Sequence, residues 1–224
     1  MATPRFTSHL RRIARPIWEA QHRHPVVLGI GRGNLAEERF AFWVRQDYLF
    51  LIEYSRVFAL AAARSPGLST MTAFAELLRA TLMEEMALHR GYAAEFGISA
   101  ADLEREPTAP VTQGYTDFLL RTAALGSYGE LLAALLPCMW GFSEVGRRLA
   151  RQGKPREARY ARWIEMYASP EFAKLARWCR DLLDAEAQGL PQGERRRLER
   201  AFLTSSRYEY LFWEMAWRQE RWPV

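Results

Sequence analysis

The fold class predicted by this sequence is all-α, and three observations predict it. Apolar residues recur every three or four positions through most of the chain. No stretch keeps a two-residue alternation, and no Asn-Gly or Asp-Gly pair offers a hairpin turn. The breaks between periodic stretches are short and carry Gly and Pro, as in a helix bundle. With 224 residues the chain can bury a sizeable core. No repeat, linker or low-complexity tract divides it, so a single helical domain over 1–224 is expected.

Taken in order, the first helix is expected over about Arg5 to Gln21, with Ile13, Ile17 and Trp18 inward. Pro16 should bend it or split it in two. After His22-Arg23-His24, a short helix should run from Pro25 to Ile30 and end at Gly31 and Gly33. Asn34 stands three residues before Glu37, the spacing of a capping box, and should open a long helix to about Arg64. Its stripe is Phe40, Val44, Leu51, Tyr54 and Phe58. Asp47 falls in that stripe. A carboxylate there must be paired, hydrogen-bonded or protonated.

Beyond Ser65-Pro66-Gly67, a second long helix is expected over about Thr70 to Phe96. It places Glu85 and His89 four apart, read here as a surface ion pair with a capped histidine rather than a metal pair. Ser99 and Asp102 should open a short helix that closes before Pro107 and Pro110. Tyr115, Phe118, Leu119 and Thr122 mark the next, up to Gly126. Ser127 and Glu130 again have capping-box spacing. The helix they introduce should end near Gly153, with Leu131, Leu135, Cys138, Phe142, Val145 and Leu149 on one face. Pro137 lies inside it, at a cost of roughly 3 kcal/mol or more, so some other gain should hold the kink. Pro155 should start another helix, bearing Tyr160, Trp163, Ile164 and Tyr167. Ser169-Pro170 reads as an N-cap with proline at the first helical position. That helix should reach about Gln188 and carry Cys179 as a packing thiol. The last helix should begin after Pro191 and reach about Arg221, with Phe202, Ser205, Glu209, Phe212 and Ala216 on one stripe. The count is seven or eight substantial helices.

Composition narrows the function. Apolar residues are 49% and charged residues 25%, the balance of an ordinary globular protein. No segment approaches 18 consecutive apolar residues, and no signal peptide is expected behind the basic start, Arg5 to Arg12. Two cysteines make no disulfide framework and fit a reducing cytoplasm. The net charge is +5, but the basic residues are scattered. The one dense run, Arg195-Arg196-Arg197 with Arg200, is interrupted by Glu194 and Glu199. It reads as a solvated helix face, so neither nucleic acid nor a membrane is expected as partner.

Three reactive groups remain on inward stripes: Asp47, Cys138 and Glu209. In a bundle such faces converge on an interior pocket. A desolvated Glu can act as general acid near neutrality, and a suitably partnered thiol as nucleophile. For Cys138 the residues alone favour plain packing, since free cysteine is usually buried. Aromatic neighbours would suit a flat heteroaromatic ligand. The four histidines, His9, His22, His24 and His89, all lie in the first half. A di-iron bundle site therefore lacks ligands, no metal site is expected, and haem on His22 or His24 has one residue to support it. No phosphate loop or dinucleotide fingerprint occurs.

Several pieces together resemble the TenA/thiaminase II family. They are Trp18 with His24-Pro25 and Gly33-Asn34-Leu35; Phe40 with Gln46-Asp47-Tyr48; Tyr115; Leu136-Pro137-Cys138 with Glu144-Val145-Gly146; Trp163 through Ser169; and Glu209 through Trp213. The resemblance implies a haem oxygenase-like multi-helix bundle and a hydrolase that needs no cofactor. Its product would be 4-amino-5-hydroxymethyl-2-methylpyrimidine, made from thiamine or from the 5-aminomethyl pyrimidine. It implies that Cys138 attacks C6 of the pyrimidine, Glu209 protonates the leaving group and Asp47 holds a ring nitrogen. Tyr115, Tyr167 and Phe212 would line the ring's site, and a homotetramer is implied. The resemblance thus reverses the packing reading of Cys138. Two positions depart from the family pattern: Phe50 and Phe142 each stand where a tyrosine is usual. Each loses a hydroxyl and keeps the ring, at roughly 0.5–1.5 kcal/mol per lost hydrogen bond. A binding protein without catalysis, a shifted substrate, or a haem oxygenase-like redox protein are the alternatives.

Overall fold

Proline, glycine and cap chemistry set most of the boundaries in the structure, a computed structural model that describes residues 5–224. Among the described residues, twelve α-helices follow one another: α1 (Phe6–Ile13), α2 (Arg15–His22), α3 (Pro25–Arg32), α4 (Glu37–Ala63), α5 (Leu68–Ala80), α6 (Met86–Glu95), α7 (Ala100–Arg105), α8 (Pro110–Leu125), α9 (Tyr128–Ala150), α10 (Ala158–Ala168), α11 (Pro170–Glu186) and α12 (Gln192–Arg218). A π-turn, Thr81–Glu85, joins α5 to α6, and no strand occurs among the described residues. No described helix is long and apolar enough to cross a membrane.

Pro16 splits the first expected helix into α1 and α2, as its ring requires. The Ser99 and Ser169 caps form: each side chain accepts from the backbone N–H three residues on, at 3.1 Å. Three boundaries differ from expectation. Gly31 lies inside α3, where a Cβ would come 2.7 Å from Leu149 Cδ2; it admits a close neighbour instead of ending the helix. Gly33, at φ 73°, is the residue that ends it. Asn34 does not cap α4. Its N–H and that of Leu35 both turn back to the Gly29 carbonyl, at 3.0 and 3.2 Å, so Asn34 belongs to the end of α3 and Ala36 precedes α4. Finally, α10 starts at Ala158, not Pro155, because the Glu157 carboxylate accepts from the Arg159 N–H.

The chain divides into two compact units. The first comprises residues 5–35 and Gly129–Trp213. Trp18, Leu135, Trp163, Phe202 and Trp213 are buried in it. Ser206 ties α2 to α12: its hydroxyl accepts from Trp18 Nε1 at 3.0 Å and its carbonyl from Gln21 Nε2 at 3.2 Å. The Arg195–Arg200 run is indeed a solvated, ion-paired face, with Arg197 near Glu194 and His9 on Glu199 at 2.9 Å. Gly146 fixes how α9 meets the end of α10. A Cβ there would lie 2.6 Å from the Tyr167 carbonyl carbon and 2.8 Å from the Ala168 nitrogen, both backbone atoms that cannot rotate away. Gly146→Ala should therefore destabilise the chain by at least about 1–3 kcal/mol, read as a Tm lowered by several degrees.

The second unit comprises Ala36–Tyr128 and Glu214–Val224. Phe40, Trp43, Tyr54, Phe58, Phe74 and Tyr92 are buried in it. Gln46 pins the loop before α8 onto α4, donating to the Pro107 carbonyl at 3.0 Å and accepting from the Ala109 N–H at 2.9 Å. Arg64 closes the far end of α8 by donating to the carbonyls of Ala123 and Gly126.

Candidate active site

Cys138 and Glu209 belong to the first unit. The Ser205 hydroxyl, on α12, donates to the Ala134 carbonyl of α9 at 2.6 Å. Eight residues further along both helices, the Phe142 and Trp213 rings stand 5.3 Å apart. Contacts offset by the same interval in the same direction make α9 and α12 parallel neighbours over about 12 Å. Cys138 and Glu209 each lie midway between these two ties. Cys138 and Glu209 therefore lie at the same height along this helix pair. Pro137 lies inside α9 and crowds the Ala133 carbonyl. The next carbonyl, Ala134, is met by the Ser205 hydroxyl.

The two cysteines differ. Both are thiols, but Cys179 is fully buried and burial pushes its pKa up to about 12. Cys138 keeps part of its surface open to solvent. Cys179 is the packing thiol expected, and Cys138 is the more accessible of the two. Glu209 is 3% exposed. Phe142 sits among Trp163, Tyr167 and Trp213, with ring centroids 6.0, 4.9 and 5.3 Å away. Tyr167 and Phe212 are buried in the same unit.

Asp47, Phe50 and Tyr115 belong to the second unit. Phe50, one turn after Asp47, lies 5.2 Å from the ring of Tyr54 and 5.1 Å from that of Tyr115. Asp47 is 4% exposed and its Oδ2 lies 2.6 Å from Nε2 of His89, itself 1% exposed. The reading of His89 as a surface histidine paired with Glu85 is overturned. What hid it is the π-turn. The Met86 N–H reaches back to the Thr81 carbonyl, five residues earlier, which adds one residue to the turn. An extra residue rotates all that follows by about 100° relative to an unbroken α-helix. The faces expected for Thr70–Phe96 thus fail beyond Glu85, and His89 turns inward.

Both ring nitrogens of His89 face acceptors: the Glu85 carbonyl at 2.9 Å from Nδ1, and Asp47 Oδ2 from Nε2. An imidazolium can donate to both. Burial lowers the His89 pKa, but hydrogen bonding to Asp47 and the charges of Asp47 and Glu85 outweigh it, and the net shift is upward. The stabilisation from this ion pair is complete below the ordinary value of 6.5 and is lost as pH rises through the raised one.

The other histidines are engaged in the first unit. His24 Nδ1 accepts from the Val26 N–H at 3.2 Å and caps α3. His22 Nε2 lies 3.5 Å from Glu144, which also takes two hydrogen bonds from Arg11. Among the described residues, no three His, Cys, Asp or Glu side chains form a group that could hold a metal.

This fold and these side chains define an all-α protein with a thiol and a carboxyl on adjacent parallel helices. The chain is a member of the TENA/THI-4/PQQC family, whose model matches residues 11–219. It is 46% identical to an aminopyrimidine aminohydrolase of Halalkalibacterium halodurans, over 97% of each chain. It superposes on a TenA homologue from P. horikoshii OT3 with a TM-score of 0.87 at 31% identity, covering 96% of this chain and 99% of the other. A domain of unknown function with a haem oxygenase-like fold, from Shewanella denitrificans, gives a TM-score of 0.73 at 12% identity, covering 97% of this chain and 94% of the other. The fold is haem oxygenase-like.

Proposed function

We propose that this chain is an aminopyrimidine aminohydrolase of the thiaminase II type, a hydrolase of thiamine metabolism. The observation that carries the reading is the end-to-end 46% identity with the H. halodurans enzyme. In the proposed reaction, 4-amino-5-aminomethyl-2-methylpyrimidine and water give the 5-hydroxymethyl pyrimidine and ammonia. The Cys138 thiolate adds to ring carbon C6. Glu209 gives its proton to the departing amine, and the electron pair of the broken C–N bond leaves with ammonia. Water adds to the exocyclic carbon, a proton returns to Glu209, and the C6–S bond breaks to restore ring and thiolate. Asp47 holds a ring nitrogen, which makes C6 more electrophilic. Tyr115, Tyr167, Phe212, Phe50 and Phe142 supply apolar walls suited to a flat ring. We include in the proposal a cytoplasmic location and a homotetramer, on the family resemblance.

A second reading is a shifted substrate preference. Its support is the surroundings of Phe50 and Phe142, which are packed among other rings. The test is to supply the purified chain with the aminomethyl pyrimidine and, separately, with thiamine. Ammonia and hydroxymethylpyrimidine in equal amounts are expected from the first. Binding by calorimetry with no release would make the chain a binding protein, and neither binding nor release would mean another substrate.

A further inference from the structure

Asp47 has one oxygen engaged and one open. Oδ2 pairs with His89 at 2.6 Å, while among the described residues nothing hydrogen-bonds Oδ1. Oδ1 is not among the buried side-chain atoms left without a partner, so it keeps the access that a small ligand would need. His89 is the only group of the second unit in hydrogen-bond contact with the side chain of Asp47 among the described residues. Its own orientation is fixed at both ends: the Glu85 carbonyl takes Nδ1–H, and the rings of Trp43 and Tyr92 lie 5.6 and 6.3 Å away. The π-turn that delivers it is a costly irregularity of a kind frequent at functional sites.

From this geometry we infer that His89 is a positioning residue for the aminohydrolase reaction: its Nε2 anchors Asp47 through Oδ2, leaving Oδ1 to take the N–H donors on the nitrogen edge of an aminopyrimidine. The inference rests on the proposed role of Asp47 and adds the group that sets its direction. The groups that bear on the charge of His89 are Asp47 from α4 and Glu85 from the π-turn, both acidic, and they keep the imidazolium form. A neutral donor in its place would keep one hydrogen bond and lose the charge. An apolar side chain would lose both and leave a buried carboxylate uncompensated.

The test compares His89→Gln and His89→Leu, each alone and in an Asp47→Asn background, with kcat and KM measured on the aminomethyl pyrimidine. His89→Gln is expected to lower kcat/KM about 10-fold and His89→Leu about 100-fold, the range for loss of a charge-assisted hydrogen bond. In the Asp47→Asn background both should cost less than about threefold, because partners in one network are not additive. A structural histidine behaves otherwise. It would cost the same with or without Asp47, and Gln would not rescue relative to Leu. Either outcome overturns the inference, as does His89→Gln turning over within twofold of wild type. If wild type shows no activity on the pyrimidine while Asp47→Asn leaves pyrimidine binding unchanged, the functional reading has failed and the inference falls with it. An active wild type with silent His89 variants fails the inference alone.

Discussion

Cys138→Ala is expected to lower kcat/KM for the aminomethyl pyrimidine by at least about 10³-fold, with the fold and pyrimidine binding retained. The large effect follows from the proposed chemistry: without the sulfur, no addition at C6 can take place, and the C–N bond must break without a covalent intermediate. Retention of the fold follows from the structure. Cys138 is partly solvent-exposed, so trimming it to Ala leaves little cavity. Ala is also the best helix former, in a helix already strained one residue earlier by Pro137. The thermal midpoint should therefore stay within a few degrees of wild type. Cys179→Ala is the matched control and should leave turnover unchanged, since that thiol is wholly inside and held protonated.

Glu209→Gln should lower kcat by about 10²- to 10⁴-fold, the range lost with a general acid. Gln matches Glu in shape and can donate a hydrogen bond, but it cannot yield a proton to the departing amine. The position favours a clean result. Glu209 is 3% exposed, and Ser205 one turn before it holds α12 against α9 independently of the carboxyl. Steady-state kinetics with calorimetry of the hydroxymethyl product separate the outcomes. Loss of kcat with product binding kept supports the role. Equal loss of binding would make Glu209 a ligand-holding group instead.

How much of this could be read from the chain follows from which interactions are local. Pro16, Gly33, Ser99 and Ser169 act within a few residues, and each marked its helix end correctly. The stripes of α4 and α12 were equally legible, because burial follows the 3.6-residue period: Phe202, Ser205, Glu209, Phe212 and Ala216 are all buried. Asn34 misled because its backbone is claimed by the end of α3, a competition that cap spacing does not express. His89 was missed for a deeper reason. The π-turn resets the phase of its helix, and no residue pattern over Thr81–Glu85 announces it. One clue was available: Asp47 on an apolar stripe demanded a partner, and the chain has only four histidines to supply one. The Ser205–Ala134 bond joins residues 71 apart and leaves no trace in local sequence.

The most direct measurement is thiol modification followed by activity. A small methylthiolating reagent should modify Cys138 and spare Cys179, pyrimidine product should slow the modification, and activity should extrapolate to zero at one label per chain, mapped to Cys138 by mass spectrometry. A chain fully labelled at Cys138 that still releases ammonia at the wild-type rate would contradict the account.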